Sequence, residues 1–247
     1  MQQMYWKIYI IILAYFALGT AGIWYVNRHK EPEVARKAWI KHLTYFIITN
    51  SLFFVIAFGA RAFHFIAVVI IIVGFFELIK LFFESGFRHS VFFIVSLFIL
   101  AILSAGFFFF SKMEHRLILF AFLILCIFDG FSQVTGQVFG KRKLFPNVSP
   151  NKTVEGLAGG VIMAVVSTFI FRQLLPDMQL PVAMLLATVV ALCAFAGDTA
   201  KSVYKRKYNV KDFSGLIPGH GGFLDRFDSL IAGGAGVALL GLLVSLT

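Results

Sequence analysis

The chain has 247 residues, of which 60% are hydrophobic and 31 are phenylalanine, and its mean hydropathy is +0.88. Soluble domains are only about 45–50% apolar, so these values exclude a soluble protein and indicate one integral membrane domain. The net charge of +10 lies in short loops between apolar segments, where topology and anionic phosphates explain it better than nucleic acid does. We therefore expect the lipid bilayer as a partner and no nucleic acid.

Eight apolar segments are long enough to cross a bilayer as α-helices. The first follows Lys7 and is of transmembrane length, so we expect a membrane anchor rather than a cleaved signal peptide. The sequence predicts an all-α, polytopic helical bundle, with helices 1–4 in residues 1–116 and helices 5–8 in residues 117–247. The predicted spans are 7–26, 42–60, 62–83, 89–110, 117–139, 155–175, 181–203 and 227–246.

Loop charge predicts the orientation of the bundle. The loops between helices 1 and 2, 3 and 4, 5 and 6, and 7 and 8 carry most of the 22 Lys and Arg residues. The positive-inside rule places these loops in the cytoplasm and both termini outside the inner cell membrane. The cytoplasmic loops would then face the compartment that holds nucleoside triphosphates.

Helix 3 and helix 5 carry polar residues within apolar segments. Helix 3 has Glu77 three residues before Lys80, a pair whose role the sequence leaves open. Helix 5 has a stripe of polar and small residues at steps of three and four: Asp129, Ser132, Gln133, Gly136 and Gly140. A small-residue stripe is typical of a helix-packing face, whereas an aspartate within it favours the lining of a cavity.

The stretch from residue 197 to 228 concentrates charge at the edge of the predicted membrane. It holds four aspartates, several Lys and Arg residues and the Gly-rich sequence PGHGG between two apolar segments. Phosphate chemistry uses these features together, because carboxylates bind divalent metals, cations bind phosphoryl oxygens and bare backbone approaches a phosphate closely. The stretch therefore predicts a phosphate-handling site.

Helical spacing groups the charges of this stretch. Ser202, Lys205 and Arg206 follow Asp198 by four, seven and eight residues, so they share its helix face. This pattern predicts a metal ligand beside phosphate-binding cations, or alternatively an ion pair at a helix end. Asp225 and Asp228 lie three apart at the start of helix 8, where ordinary capping of the helix is the alternative to metal binding.

The same stretch resembles the signature of the phosphatidate cytidylyltransferase (CDP-diacylglycerol synthase) family. The matching residues are Ser202, Lys205, Arg206, Lys211, Asp212, Pro218, His220, Gly221, Gly222, Asp225, Arg226 and Asp228. The segment NVSPNKTVEG, residues 147–156, resembles an upstream segment of that family. The two motifs cover roughly the C-terminal half of the chain.

The resemblance implies transfer of the cytidylyl group of CTP to phosphatidate, which gives CDP-diacylglycerol and pyrophosphate. It implies Mg²⁺ on Asp198 and Asp225 with support from Asp228, allows a second, monovalent cation, and is compatible with a homodimer. It implies catalytic roles for His220, Lys205 and Arg206, although His220 could bind a phosphate, position a metal-bound water or hold its loop. The implied substrate-binding residues are Asp129, Ser149, Lys152, Thr153, Glu155, Ser202, Lys211, Asp212, Gly221, Gly222 and Arg226. Helix capping is the alternative for Glu155.

The sequence departs from the family pattern at two positions. Lys201 stands where the family commonly has glutamate, and Gly130 follows Asp129 where the family commonly has a small hydroxyl residue or alanine. The first departure places a base close to the expected metal, so the acceptor could be a different lipid phosphate. A CTP-dependent lipid kinase of the polyprenol type, which would release CDP, and a membrane transporter are two competing functions. The clustering of acidic residues at one face favours the enzyme.

Overall fold

A computed structural model describes residues 2–29, 31–215, 217 and 221–244. Helices dominate this part of the chain, and a short antiparallel hairpin joins the fifth helix to the sixth. The helices are α1 (Gln2–Asn27), α2 (Pro32–Phe58), α3 (Ala60–Glu84), α4 (Ser90–Phe110), α5 (His115–Phe139), α6 (Val154–Phe171), α7 (Leu180–Lys207) and α8 (Leu224–Val244). The strands are β1 (Lys143–Phe145) and β2 (Ser149–Thr153), and a 3₁₀ turn at Arg172–Leu174 follows α6.

The eight helices of the described residues are each long and apolar enough to span a membrane. Many of their large side chains point outward, as at Leu18, Val91 and Leu242, which are 75%, 77% and 76% exposed. Such exposure suits a bilayer, because lipid tails are as apolar as these side chains. The prediction of a polytopic helical bundle is therefore confirmed, and the chain is an integral, multi-pass membrane protein.

Several helix boundaries differ from the predicted spans by a few residues, and the largest difference is at the start of α2. α2 begins at Pro32 instead of residue 42 because a proline suits the first helical position, and charged residues such as Glu33 and Lys37 form its exposed first turns. α7 continues to Lys207 instead of residue 203. In both places the apolar segment marks the membrane-crossing part of the helix, while the helix itself extends beyond it. Gly59 ends α2 and precedes α3, so the two nearly continuous apolar segments form two separate helices.

The hairpin is absent from the all-α prediction. β1 pairs with β2 in antiparallel register, with Lys143 opposite Thr153 and Phe145 opposite Ser149. The guanidinium of Arg206 on α7 donates from Nε to the Val148 carbonyl over 3.2 Å and so ties the turn to α7. Two strands of three and five residues in a polar loop produce no hydropathy signal, which is why the sequence did not reveal them.

The core forms around α5 and α8. Every residue of α5 from 117 to 125 is buried, and α8 is buried over most of its length. α5 packs on α6, and α8 packs on α7 and α4. This packing brings the C-terminal ends of α3, α5 and α7 to the same face as the N-terminal ends of α6 and α8.

Candidate active site

A polar cavity of about 390 Å³ lies between α2, α5, α7, α8, the hairpin and the first turn of α6. Its polar wall consists of Asp129, Ser132, Gln133, Ser149, Asn151, Lys152, Thr153, Asp198, Lys201, Asp225, Arg226, Asp228 and Ser229. The cavity therefore joins the two segments, 147–156 and 197–228, that the sequence analysis singled out. It also includes Asp129 from α5, so the stripe on that helix does line a cavity.

Two lysines bind the carboxylate of Asp198. Lys152 from the hairpin lies 2.7 Å from Oδ2, and Lys201, one turn further along α7, lies 2.8 Å from Oδ1. The ammonium of Lys201 also donates to Asp228 Oδ1 over 2.9 Å. The side chains of Lys152 and Lys201 are only 14% and 10% exposed, so this ion network is largely removed from water and each charge is compensated by a neighbour.

Gly197 allows α8 to approach α7 at this network. A Cβ at position 197 would lie 2.5 Å from the Ala232 Cβ and 3.0 Å from the Asp228 carbonyl oxygen. Real side chains do not tolerate the first of these distances. The glycine thus lets the first turns of α8 press against α7, which sets Asp228 beside the residue that follows Gly197, Asp198.

Asp225 anchors the loop before α8. Its Oδ2 accepts hydrogen bonds from the backbone amides of Phe213 and Gly222, each over 3.0 Å, and its Oδ1 pairs with Lys205. The Asp225 side chain is 2% exposed. Asp225 therefore satisfies backbone N–H groups of the loop that precedes α8, and these contacts differ from ordinary capping, in which a side chain binds the first-turn amides of the helix.

Glu77 holds the same loop from the other side. Its Oε1 accepts from Ser214 Oγ over 2.5 Å and from the Phe223 amide over 2.8 Å, and its Oε2 accepts from the Leu224 amide over 2.6 Å. The expected partner on α3, Lys80, pairs instead with Glu84 over 3.6 Å. Glu77 is thus a positioning residue, a role that the sequence alone leaves open. The sequence feature that could have pointed to this role is a single carboxylate within an apolar span.

Backbone hydrogen bonds join Ile217 to Gly221 at the Gly-rich sequence. The Ile217 amide donates to the Gly221 carbonyl over 2.9 Å, and the Gly221 amide donates back to Ile217 over 3.2 Å. Gly221 has a φ of +82°, a left-handed conformation that favours glycine. A Cβ at Gly222 would meet the Glu77 carboxylate at 2.9 Å, so that position also requires a bare backbone. His220 and Pro218 lie outside the described residues.

The upstream motif divides between the cavity and the hairpin. Ser149 and Lys152 line the cavity. Thr153 lines it too and caps α6, accepting from the Gly156 amide over 3.0 Å. Glu155 accepts from the backbone amides of Lys141 and Arg142 at 3.0 and 3.2 Å. It therefore fastens the start of the hairpin to α6, a contact that supports a structural role.

The stripe on α5 serves both of the purposes that the sequence left open. Asp129, Ser132 and Gln133 line the cavity. One turn further on, Gly136 faces Gly156, whose Cα would lie 3.5 Å from a Cβ at position 136. Small residues at such a crossing allow two helices to pack closely, so the polar half of the stripe lines the cavity and the glycine half packs on α6.

Several predicted site residues are not part of the described cavity wall. Ser202 donates to the carbonyl of Asp198 within α7 over 2.9 Å, while Lys211 and Asp212 are exposed. Arg226, by contrast, is exposed and does line the cavity. The predicted residues outside the wall are Glu155, Ser202, Lys205, Arg206, Lys211, Asp212, Gly221 and Gly222.

The profile of a family described as the cytidylyltransferase family matches residues 4–244 of this chain. The chain belongs to the cytidylyltransferase family. The match covers nearly the whole sequence, including the N-terminal helices, which contain no motif that the sequence analysis could recognise. The resemblance drawn from residues 147–156 and 197–228 is therefore confirmed.

Curated relatives of this cytidylyltransferase-family chain carry the name phosphatidate cytidylyltransferase. One from Bacillus subtilis is 45% identical over 116 residues, which are 46% of this chain and 43% of that protein. One from Staphylococcus epidermidis is 39% identical over 136 residues, 53% of this chain and 52% of the relative. One from Haemophilus influenzae is 43% identical over 121 residues, 47% and 42% of the two chains. The aligned regions span about half the length of these relatives.

The contacts of Asp225 do not fit the magnesium pair predicted at Asp198 and Asp225. The carboxylate oxygens of Asp225 bind Lys205 and two backbone amides, and those of Asp198 bind two lysines. Among the described residues, no group of three or more His, Cys, Asp and Glu side chains is arranged to hold an ion. The carboxylate oxygens that a preformed metal site in this cavity would use are bound instead by lysine side chains of the chain itself. The magnesium ion and the second cation stay predictions.

Proposed function

We propose that this chain transfers the cytidylyl group of CTP to phosphatidate and forms CDP-diacylglycerol and pyrophosphate. The observation that carries the proposal is the convergence of both family motifs in one polar cavity. Lys152 of the upstream motif contacts Asp198, which stands at the start of the downstream stretch, and Asp228 ends that stretch. The name of the relatives, phosphatidate cytidylyltransferase, supports this activity.

The proposed step needs no general base. A phosphate oxygen of phosphatidate attacks the α-phosphorus of CTP, the bond from that phosphorus to the oxygen of the β-phosphate breaks, and pyrophosphate leaves with the bonding electrons. A phosphate monoester has a second pKa of about 6, so the attacking oxygen is already anionic near neutral pH. Catalysis then consists of holding the two substrates in line and stabilising negative charge.

Lysine and arginine side chains of the cavity suit this role. Lys152 and Arg226 line it from opposite sequence motifs. Lys152 also lies 4.6 Å from the centre of the Phe195 ring and 2.7 Å from Thr199 Oγ1, contacts that fix its direction. A fixed ammonium next to bound phosphates stabilises charge as it develops, with little rearrangement at the moment of reaction.

An apolar groove beside the cavity suits the acyl chains of a lipid substrate. It has a volume of about 1200 Å³ and is lined by residues of α4, α5, α7 and α8 and of the connections that precede α5 and α7. Gly197 and Ala200 of α7 belong to its wall, while Asp198 and Lys201 of the same helix belong to the wall of the polar cavity. A lipid phosphate in the cavity could therefore keep its acyl chains in apolar surroundings, since burying apolar chains is favourable.

The proposed active site is on the cytoplasmic face of the inner cell membrane. The homodimer stays a prediction. The orientation is supported by the basic loops, since Lys and Arg concentrate on the cytoplasmic side of membrane proteins. In a background with Cys126 and Cys193 replaced, single cysteines at the exposed positions Asn151 and Asn209 should resist an impermeant thiol reagent in intact cells. A cysteine at Asp177, in the exposed loop at the other end of α7, should react. The reverse pattern would overturn the orientation.

Labelled CTP tests the reaction. Purified protein should move an α-phosphorus label from CTP to phosphatidate, and a γ-phosphorus label should appear in pyrophosphate. Supplying CDP-diacylglycerol and pyrophosphate should regenerate CTP. Transfer of the γ label to a lipid would refute the cytidylyl transfer and support a lipid kinase. Transfer of the α label to a different lipid phosphate, with none to phosphatidate, would retain the chemistry and refute the substrate.

A further inference from the structure

Lys201 lies at the centre of a cluster of oxygens. Its Nζ is 2.8 Å from Asp198 Oδ1, 2.9 Å from Asp228 Oδ1 and 3.0 Å from the backbone carbonyl of Asp225. A lysine ammonium has three protons to donate, so these three oxygens satisfy it completely. With 10% of its side chain exposed, the ammonium belongs to the interior of the cavity wall.

The three oxygens around Lys201 form the type of ligand set that a hard cation takes. Two carboxylate oxygens and a backbone carbonyl from two helices converge on one point, and oxygen ligands of these kinds bind magnesium and calcium in proteins. The cation at that point belongs to the chain itself. Lys201 therefore fills from within a position that an ion from solution would otherwise be able to occupy.

Burial explains why a cation is needed there. The Asp228 side chain is 7% exposed, and its Oδ2 has no hydrogen-bond partner among the described residues. An isolated carboxylate is costly to bury unless an opposite charge compensates it. The Lys201 ammonium provides that compensation for Asp228 and shares in compensating Asp198.

We propose that the ammonium of Lys201 replaces a resident metal ion between Asp198 and Asp228. The chain then binds no divalent ion at this carboxylate pair before nucleotide arrives. Magnesium required for turnover enters with the phosphates of CTP, a clause that rests on the proposed function. The binding claim itself concerns the protein without substrate, so it stands or fails independently of the reaction.

Metal titration of the nucleotide-free protein tests this proposal. Purified protein is titrated with Mn²⁺, and the electron paramagnetic resonance signal of free Mn²⁺ reports what remains unbound. We expect the wild-type chain to show no stoichiometric site. We expect Lys201→Met to gain one site per chain, with binding at least about 100-fold tighter, because the repulsion between an ammonium and a divalent ion at this distance is removed. Lys80→Met, which breaks an exposed pair, is the matched control and should gain none.

A second variant and a second measurement cover the case in which Lys201→Met folds poorly. Lys201→Gln keeps a hydrogen-bond donor at the position and should show the same gain. Mn²⁺ should raise the thermal unfolding temperature of both variants and leave that of the wild type unchanged, since a ligand that binds the folded state stabilises it. Adding Asp228→Asn to either variant should abolish the new site.

Two results would overturn the proposal. One is a wild-type chain that binds one Mn²⁺ without nucleotide and loses it in Asp228→Asn, because the carboxylates would then hold a metal despite Lys201. The other is a folded Lys201→Gln protein that binds no Mn²⁺. The first result needs no Lys201 variant, so the proposal remains testable whether or not Lys201→Met and Lys201→Gln fold.

Discussion

Glu77 provides the sharpest test of how the loop before α8 is held. Replacing it by glutamine keeps the size of the side chain but exchanges one acceptor oxygen for an NH₂ group. If the NH₂ group takes the place of Oε1, it faces the Ser214 hydroxyl and the Phe223 amide, which now donate to that oxygen over 2.5 and 2.8 Å. If it takes the place of Oε2, it faces the Leu224 amide, which now donates over 2.6 Å. Because Glu77 is 1% exposed, water cannot take over the lost bond.

The cost of Glu77→Gln follows from these contacts. Leaving one buried donor unpaired costs about 1–3 kcal/mol, and the remaining bonds lose the extra strength that an ionised acceptor gives. We expect the free energy of unfolding in detergent to fall by about 3 kcal/mol. The proposed cytidylyl transfer should fall in parallel, because the loop is bonded to Asp225 in the cavity wall. Denaturant titration monitored by intrinsic fluorescence measures the first, and labelled CTP measures the second.

Glu84→Gln on the same helix is the matched control. Glu84 pairs with Lys80 at 3.6 Å, and both side chains are about half exposed, at 56% and 46%. An exposed pair contributes no more than about 1 kcal/mol, so this variant should stay close to wild type in both assays. Equal stability of the Glu77→Gln and Glu84→Gln proteins would refute the assignment of Glu77 as the anchor of the loop.

Two further pairs of variants test the packing around the site. Asp225→Asn breaks a buried ion pair and should lower the free energy of unfolding by about 3–5 kcal/mol. Its control, Asp212→Asn at an exposed position, should change that free energy by at most about 0.5 kcal/mol. Equal effects of the two variants would contradict the role of Asp225 as an anchor of the loop. Gly197→Ala places a Cβ 2.5 Å from Ala232 and should cost about 1–3 kcal/mol through overpacking. Gly22→Ala, which meets nothing within 4 Å, is its control, and an undiminished stability of Gly197→Ala would show that α8 does not approach α7 this closely.

Hydropathy and local motifs predicted a large part of this architecture. Each apolar segment became a helix because spanning a bilayer requires backbone hydrogen bonds within the segment. Asp198 and Asp129 were singled out because carboxylates within apolar segments are costly without a partner or a cavity, and Lys152 because its segment resembles a family motif. The structure brings these three together in one cavity wall.

The remaining features depend on contacts between distant parts of the chain. The bond between Glu77 and the Phe223 amide joins residues 146 positions apart, and no local pattern reports it. The position of Lys201 between two carboxylates depends on how closely α8 docks at Gly197. The hairpin likewise gains its place from contacts such as that between Lys152 and Asp198, which only the folded bundle provides.

The central claim is that this polar cavity performs cytidylyl transfer, and single-turnover transfer of the α label of CTP to phosphatidate by Asp198→Asn tests it most directly. Removing this charge releases Lys152 and Lys201 from their shared partner, so the rate should fall by roughly 100-fold or more, as it does when one preorganised electrostatic contact is lost. Glu33→Gln, in the exposed first turn of α2, is the control and should keep the wild-type rate. A folded Asp198→Asn protein that transfers the label at the wild-type rate would contradict the account.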